Sequence, residues 1–298
     1  MKLGRAAWLT DTGRRRHRNE DAYVFEPPLF AIADGMGGAR AGEVAAEIAA
    51  TALKEARGEV TDETSLEAII VDANRRVWER SVADPMTAGM GTTMTVAFAD
   101  PEAERVVLGH VGDSRAYRLR GSELEQVTTD HSLVAELVES GVLTPEEAER
   151  HPQRSAITRA VGTDRAIDVD VFSVAAEPGD LFLLCSDGLT DMLAEGEIAA
   201  SIIDADHEPA AAAGALVAAA NARGGEDNIT VVLFELVEGE PEESATPTRS
   251  DSTGPIVPDP AADVRTHGAG PGGQVVALAL VATVVVLGLL ALYWGISQ

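Results

Sequence analysis

A short apolar run that ends in an acid and then in glycines constrains this chain more than any other stretch. Leu29 to Ala33 has the length and composition of a buried strand, and it stops at Asp34. Gly35, Gly37, Gly38 and Gly42 then lead into an Ala-rich segment. A carboxylate at the end of a buried strand is costly unless a cation compensates it. Glycines beside it let the backbone approach a ligand closely. A dinucleotide-binding loop would need G-x-G-x-x-G, and the stretch fails that pattern at Arg40. Asp34 would also stand where a pyrophosphate must lie. A divalent-metal site with Asp34 as ligand fits the residues, and so, for this stretch alone, does an ordinary glycine-rich turn.

The rest of the chain bears on that choice. It has 298 residues and a net charge of -26, which argues against nucleic acid as a partner because phosphates would be repelled. With 45% hydrophobic residues it can bury a sizeable core. A single cysteine, Cys185, leaves no disulfide framework within the chain. Residues 1–18 show no apolar signal segment, whereas Val275 to Trp294 is 20 residues without a charge. At about 1.5 Å per residue such a helix spans a bilayer core of about 30 Å. Tyr293 and Trp294 stand at one edge, where amphipathic rings favour the interface.

Between these ends the pattern is mixed α and β. Strands are expected at 2–9, 23–25, 29–33, 91–98, 105–111, 116–120, 124–127, 169–174, 181–185 and 229–236. The pairs in 91–127 read as antiparallel hairpins. Helices are expected at 43–57, from Thr64 with Glu67 completing a capping box, and at 131–140, 144–150, 195–203 and 209–223. His151 to Ser155 reads as a mobile flap, and His131 and His151 as surface polar residues. Residues 239–274, rich in Gly, Pro, Ser, Thr and acids, read as a disordered linker.

Four acids stand at or beside the ends of apolar strands: Asp34, Asp113, Asp187 and Asp227. Gathered on one sheet edge they would repel one another without cations. Mg²⁺ or Mn²⁺, oxygen-liganded and partly hydrated, suits them better than zinc. Asn19, Glu20 and Asp21, next to a basic turn running from Arg14 to Arg18, can join the cluster.

Six motifs now stand in order: Arg16 with Asn19-Glu20-Asp21, Asp34-Gly-Met-Gly-Gly38, Gly91-Thr-Thr93, Gly112-Asp-Ser-Arg115, Ser186-Asp-Gly188 and Asp227-Asn228. In that order they resemble the metal-dependent Ser/Thr protein phosphatases of the PP2C (PPM) family, bacterial branch, over about residues 2–238. The resemblance implies an α+β fold, a four-layer αββα sandwich of two antiparallel sheets flanked by helices, with a binuclear Mg²⁺ or Mn²⁺ centre at one end. By motif position, Asp34 would bridge both metals, Gly35 would supply its carbonyl, and Asp187 and Asp227 would complete the first metal's shell. Glu20 and Asp21 would hold water around the second, Asp113 with Asp187 would support the third metal of bacterial relatives, and Arg16 would clamp the substrate phosphate. Water activated between two cations would attack phosphorus in line, with no protein nucleophile. Met36 stands where animal members carry a His, and Ala39 where some bacterial members do, so the leaving alkoxide's proton is assigned to a metal-bound water.

Rival readings fit less well. Cysteine-phosphatase chemistry needs an Arg six residues after Cys185, and Asp191 is there. A haloacid-dehalogenase-type enzyme needs a second acid two residues after Asp34. A catalytically dead scaffold of the same fold would have lost metal acids that are all present here. Expected overall are a phosphatase domain over 1–238, a linker over 239–274 and a transmembrane helix over 275–294. The catalytic domain is expected in the cytoplasm, acting on phosphorylated proteins opposite a bacterial Ser/Thr kinase.

Overall fold

The computed structural model describes residues 1–37, 41–148, 150–239 and 248–249. They belong to one compact unit, Met1–Ser252; a second, Thr253–Gln298, lies outside the described residues, and with it the expected membrane span. Among the described residues no helix is long and apolar enough to cross a membrane.

Twelve strands and seven α-helices occur in the order β1 Lys2–Asp11, β2 Asp21–Glu26, β3 Leu29–Met36, α1 Ala41–Glu55, α2 Glu63–Ala83, β4 Gly91–Thr92, β5 Met94–Asp100, β6 Arg105–Val111, β7 Arg115–Arg120, β8 Glu123–Gln126, α3 Leu133–Glu139, α4 Pro145–Ala148, β9 Asp170–Ala175, β10 Leu181–Cys185, α5 Asp187–Thr190, α6 Glu195–Asp204, α7 Pro209–Ala222, β11 Ile229–Val237 and β12 Thr248–Arg249. One sheet runs β12-β1-β11-β10-β7-β8 and the other β2-β3-β5-β6-β9, with β4 pairing β3 off that path.

Three apolar cores separate four layers. Side chains alternate across a strand, so each sheet sends one set inward and one set outward. Inward residues of both sheets meet in a core that includes Trp8, Phe30, Ile32, Leu108, Phe182, Leu184, Val232 and Phe234. Phe30 and Phe182 both stack on Phe234, with ring centroids 4.5 and 5.2 Å away. Outward, Leu29, Ala31, Val96 and Val107 pack against Ala45, Ala49, Leu53, Leu66 and Ile70 of α1 and α2. On the other side Leu183, Val231 and Leu233 pack against Ile198, Ile202, Leu216 and Val217 of α6 and α7. This is the expected αββα sandwich.

Local readings needed correction where hydrogen bonding outranks hydropathy. β3 does not end at Ala33 but runs through Asp34 and Gly35 to Met36, because β4 pairs with Gly35 and Met36. The expected strand over 91–98 is broken at Thr93, whose N–H donates to the Asp34 carbonyl (2.9 Å). α2 starts two residues early: Asp62, not Thr64, is the N-cap, and it forms a capping box with Ser65. Both expected hairpins form, β5 with β6 and β7 with β8. They lie in different sheets, and Gly112-Asp113-Ser114 carries the chain between them. Thr248–Arg249, inside the expected linker, pairs parallel with Ala7 and Trp8 of β1.

Candidate metal centre

The acids converge where the two sheets meet. Asp21 on β2 lies directly opposite Asp34 on β3. The Asp34 backbone is pinned at both groups: its N–H donates to Thr93 Oγ1 (2.9 Å), and its carbonyl accepts from the Thr93 N–H (2.9 Å) and Thr92 Oγ1 (2.8 Å). From the other sheet, Asp187 opens α5 directly after β10, and Asp227 stands just before β11. Asp113, 9% exposed, sits on the crossing between sheets. Sequence-expected site residues from five separate segments therefore share one end of the sandwich.

Asn228 ties the basic turn to this cluster. Its amide Nδ2 donates to the carbonyls of Thr12 (3.0 Å) and Arg18 (2.8 Å), and its Oδ1 accepts from the Glu20 N–H (2.7 Å). Asp21 Oδ2 accepts from Thr230 Oγ1 (2.6 Å) and Ser186 Oγ (3.0 Å). Gly35 has a steric reason: a Cβ there would fall 2.2 Å from the Gly42 carbonyl oxygen, so β3 and the start of α1 approach only without a side chain. Arg16 reaches Asp227, with Nη2 to Oδ2 at 2.5 Å, in a half-exposed pair.

The electrostatics are those of anions held together. Burial, then the charges of Asp21, Asp187 and Asp113, push the Asp34 carboxyl well above its ordinary value. Burial likewise raises Asp187, with Asp113 and Asp227 adding to it. Asp21 is pushed up to about 6 by burial, against the Thr230 and Ser186 hydrogen bonds. Asp113 is pushed up to about 6, by burial and then Asp130. Glu20 is raised mainly by burial. The buried Oδ1 atoms of Asp21 and Asp187 have no hydrogen-bond partner among the described residues.

A hard divalent cation fits this donor set. The donors are carboxylate and carbonyl oxygens, and the cluster has more negative charge than its side chains neutralise. Among the described residues no three acid, His or Cys side chains form a ready cage. That suits Mg²⁺- or Mn²⁺-type ions, which keep several waters and take few protein ligands each.

Some residues around the site were not singled out by the sequence reading. Asp191, four residues after Asp187, is raised by burial and feels Asp227. Its signal was the i, i+4 spacing that puts both acids on one helical face. Asp130 receives the Arg115 guanidinium at 2.7–3.0 Å and so organises the Asp113 turn from below. His131, expected at the surface, is 6% exposed. The Gly112 N–H donates to its Nδ1 (3.0 Å), which leaves the ring proton on Nε2 facing Asp170 Oδ2 (3.1 Å). The stretch just after the expected flap is anchored here too: the Thr158 N–H donates to the His131 carbonyl (2.8 Å), and Arg159 binds Asp170 (2.6 Å). Cys185 is buried, and burial pushes its thiol up to about 12, so it is no thiolate nucleophile. Ala39 lies outside the described residues.

Two antiparallel sheets face to face, helices outside and a carboxylate cluster at one end define a class: hydrolases that work through oxygen-bound divalent ions. Residues 14–221 match the family described as Protein phosphatase 2C. The chain is 41% identical over 242 residues to the serine/threonine phosphatase stp of Listeria monocytogenes, spanning 77% of this chain and 95% of that protein. The crystal structure of the Mycobacterium tuberculosis serine/threonine phosphatase PstP/Ppp superposes with a TM-score of 0.74 at 38% identity, covering 79% of this chain and all of that one. The PstP catalytic domain solved with two manganese ions gives 0.72 at 36%, covering 79% and 99%. This chain belongs to the protein phosphatase 2C family and is a bacterial protein serine/threonine phosphatase.

Proposed function

We propose that the acid cluster is a binuclear Mn²⁺ or Mg²⁺ centre for hydrolysing phosphoserine and phosphothreonine in proteins. The observation that carries this is the buried set Asp21, Asp34, Asp113 and Asp187, each raised by burial, with two carboxylate oxygens lacking any partner among the described residues. In this reading Asp34, the Gly35 carbonyl, Asp187 and Asp227 would hold the ions, Glu20 and Asp21 would hold water around them, and Asp113 with Asp187 would support a third. The ions supply Lewis-acid activation of water and neutralise phosphoryl charge. Arg16 orients the phosphate bidentately, leaving Asp227 as it does so. Thr92, Thr93 and Ser114 hold the Asp34 and Asp113 segments in place before substrate arrives. The full chain should release phosphate from a phosphothreonine peptide with Mn²⁺ and stop with EDTA. Equal activity in EDTA would exclude the reading.

The proposal extends to location. The uncharged run Val275–Trp294 would anchor the chain in the cell membrane, with residues 1–274 on the cytoplasmic side. Arg265 and His267 precede the run, in keeping with that orientation. The domain division at 238 and 274 belongs to the same reading. A phosphatase so placed would oppose a membrane Ser/Thr kinase and its substrates. Protease applied to wall-stripped cells should leave the catalytic domain intact, whereas cleavage from outside, or full recovery of the native chain in the soluble fraction, would refute it.

A further inference from the structure

The turn from Gly13 to Arg18 does more than deliver Arg16. Four of the chain's 23 Lys and Arg residues fall within positions 14–18 of a molecule with net charge -26. Arg16 is paired with Asp227, and Arg18 stands 3.9 Å from Glu43. Arg14 and Arg15 are exposed, and their side chains make no ion pair or hydrogen bond with any described residue.

Their backbone is fixed even though their side chains are free. Both N–H groups, of Arg14 and Arg15, donate to the Gly225 carbonyl (2.7 and 3.2 Å). Gly13 adopts φ 78°, and a Cβ on it would fall 2.1 Å from the Asp227 carbonyl. With Asn228 gripping Thr12 and Arg18, the turn is clamped at both ends to the loop that carries Asp227. Two unspent guanidinium groups are thus held on the rim of the acid cluster by a rigid frame.

We infer that Arg14 and Arg15 form a docking rim for acidic residues that flank the phosphorylated residue of the substrate. This rests on Arg16 being the phosphate ligand. Successive Cα atoms are about 3.8 Å apart, so Arg15 and Arg14 stand within reach of the residues next to a phosphate held on Arg16. An extended peptide advances about 3.3 Å per residue, which puts the favoured acids within about three positions of the phosphoresidue. The molecule's net charge repels such a chain, and the rim is a place where unpaired guanidinium groups offset that repulsion. An anionic lipid headgroup would also meet guanidinium, but a membrane surface does not enter the site with its phosphate on Arg16.

The test uses the full chain with Mn²⁺ and phosphothreonine peptides matched except for flanking Glu, Gln or Lys. Each rate is read against the same variant's hydrolysis of p-nitrophenyl phosphate, which reports the centre alone. Failure on that small ester condemns the metal site; a flat peptide ranking with the ester still cleaved condemns only the rim. Wild type should prefer Glu over Gln by about two- to five-fold in kcat/KM per acid, through KM, and lose the preference at high salt. Arg14→Glu/Arg15→Glu should reverse the order toward Lys, and Arg14→Lys/Arg15→Lys should keep it. An unchanged ranking in the charge-reversed protein overturns the inference. So does flotation with phosphatidylserine vesicles that depends on Arg14 and Arg15 while peptide ranking stays flat.

Discussion

Asp34 faces Asp21 across a strand pair, feels Asp187 and Asp113, and carries a carboxyl that burial holds toward its neutral form. Ionised at neutral pH without a cation, it costs stability. Asp34→Asn should therefore split function from stability: turnover with Mn²⁺ falls by about a hundredfold or more, while the melting temperature in EDTA rises. The gain in melting temperature on adding Mn²⁺ should shrink in the same variant, and thermal denaturation with and without metal reads all three. The sign with pH follows. An acid whose native value lies above its unfolded one binds protons that the unfolded chain has released, so for Asp21 and Asp113, raised to about 6, metal-free stability falls as pH climbs from about 4 through about 6. Bound cations remove that penalty, so the Mn²⁺-induced shift should grow from pH 5 to pH 7; a shift independent of pH would contradict the cluster's electrostatics. Arg16 should behave differently. Its pair with Asp227 is half exposed and contributes about 1 kcal/mol or less. Arg16→Ala should raise KM about tenfold or more while calorimetry shows Mn²⁺ affinity undiminished, since Asp227 is then freed for metal.

Elements show what hydropathy conveys and what it does not. β10 matches its apolar run Leu181–Cys185 end to end, and α6 and α7 differ from expectation by one residue each at their C-terminal ends, because burial alone decides them. The acids were legible because an unpaired carboxylate beside a buried strand is expensive wherever it falls. Asp130 and His131 were not, because their roles depend on contacts across sheets. Nothing near them in sequence reveals that Arg115 folds onto Asp130, or that His131 grips both the N–H and the carbonyl of Gly112. The same blindness hid that the two hairpins, β5–β6 and β7–β8, belong to different sheets, since adjacent strands look alike whether or not they share one. The crossing gives a test. His131→Ala would leave the Gly112 N–H unpaired in a buried setting and release Asp170, costing about 1–3 kcal/mol in urea denaturation. With Asp113 no longer fixed by the turn before it, the half-saturating Mn²⁺ concentration for activity should rise as well. A stability loss with unchanged metal dependence would reduce His131 to a packing residue.

At the scale of the whole molecule, the proposed ligands are divided between two sheets that share no ladder hydrogen bonds among the described residues: Asp21 and Asp34 lie in strands of one, and Asp187 and Asp227 flank strands of the other. Beyond side-chain bonds such as Thr230 and Ser186 to Asp21, the interior core around Phe30, Phe182 and Phe234 fixes how far one sheet can slide on the other. Ions bound between those carboxylates would act as rivets through the seam, and the aromatic stack as the washer that sets their spacing. Phe234→Leu, far from any phosphate, should cost about 1–2 kcal/mol and weaken Mn²⁺ binding as well. Leu53→Val, in the outer layer under α1, should cost a similar amount with metal affinity intact. Amide hydrogen exchange along β3 and β11 should slow together when Mn²⁺ is added, as it does when two plates are fastened and neither can shear alone.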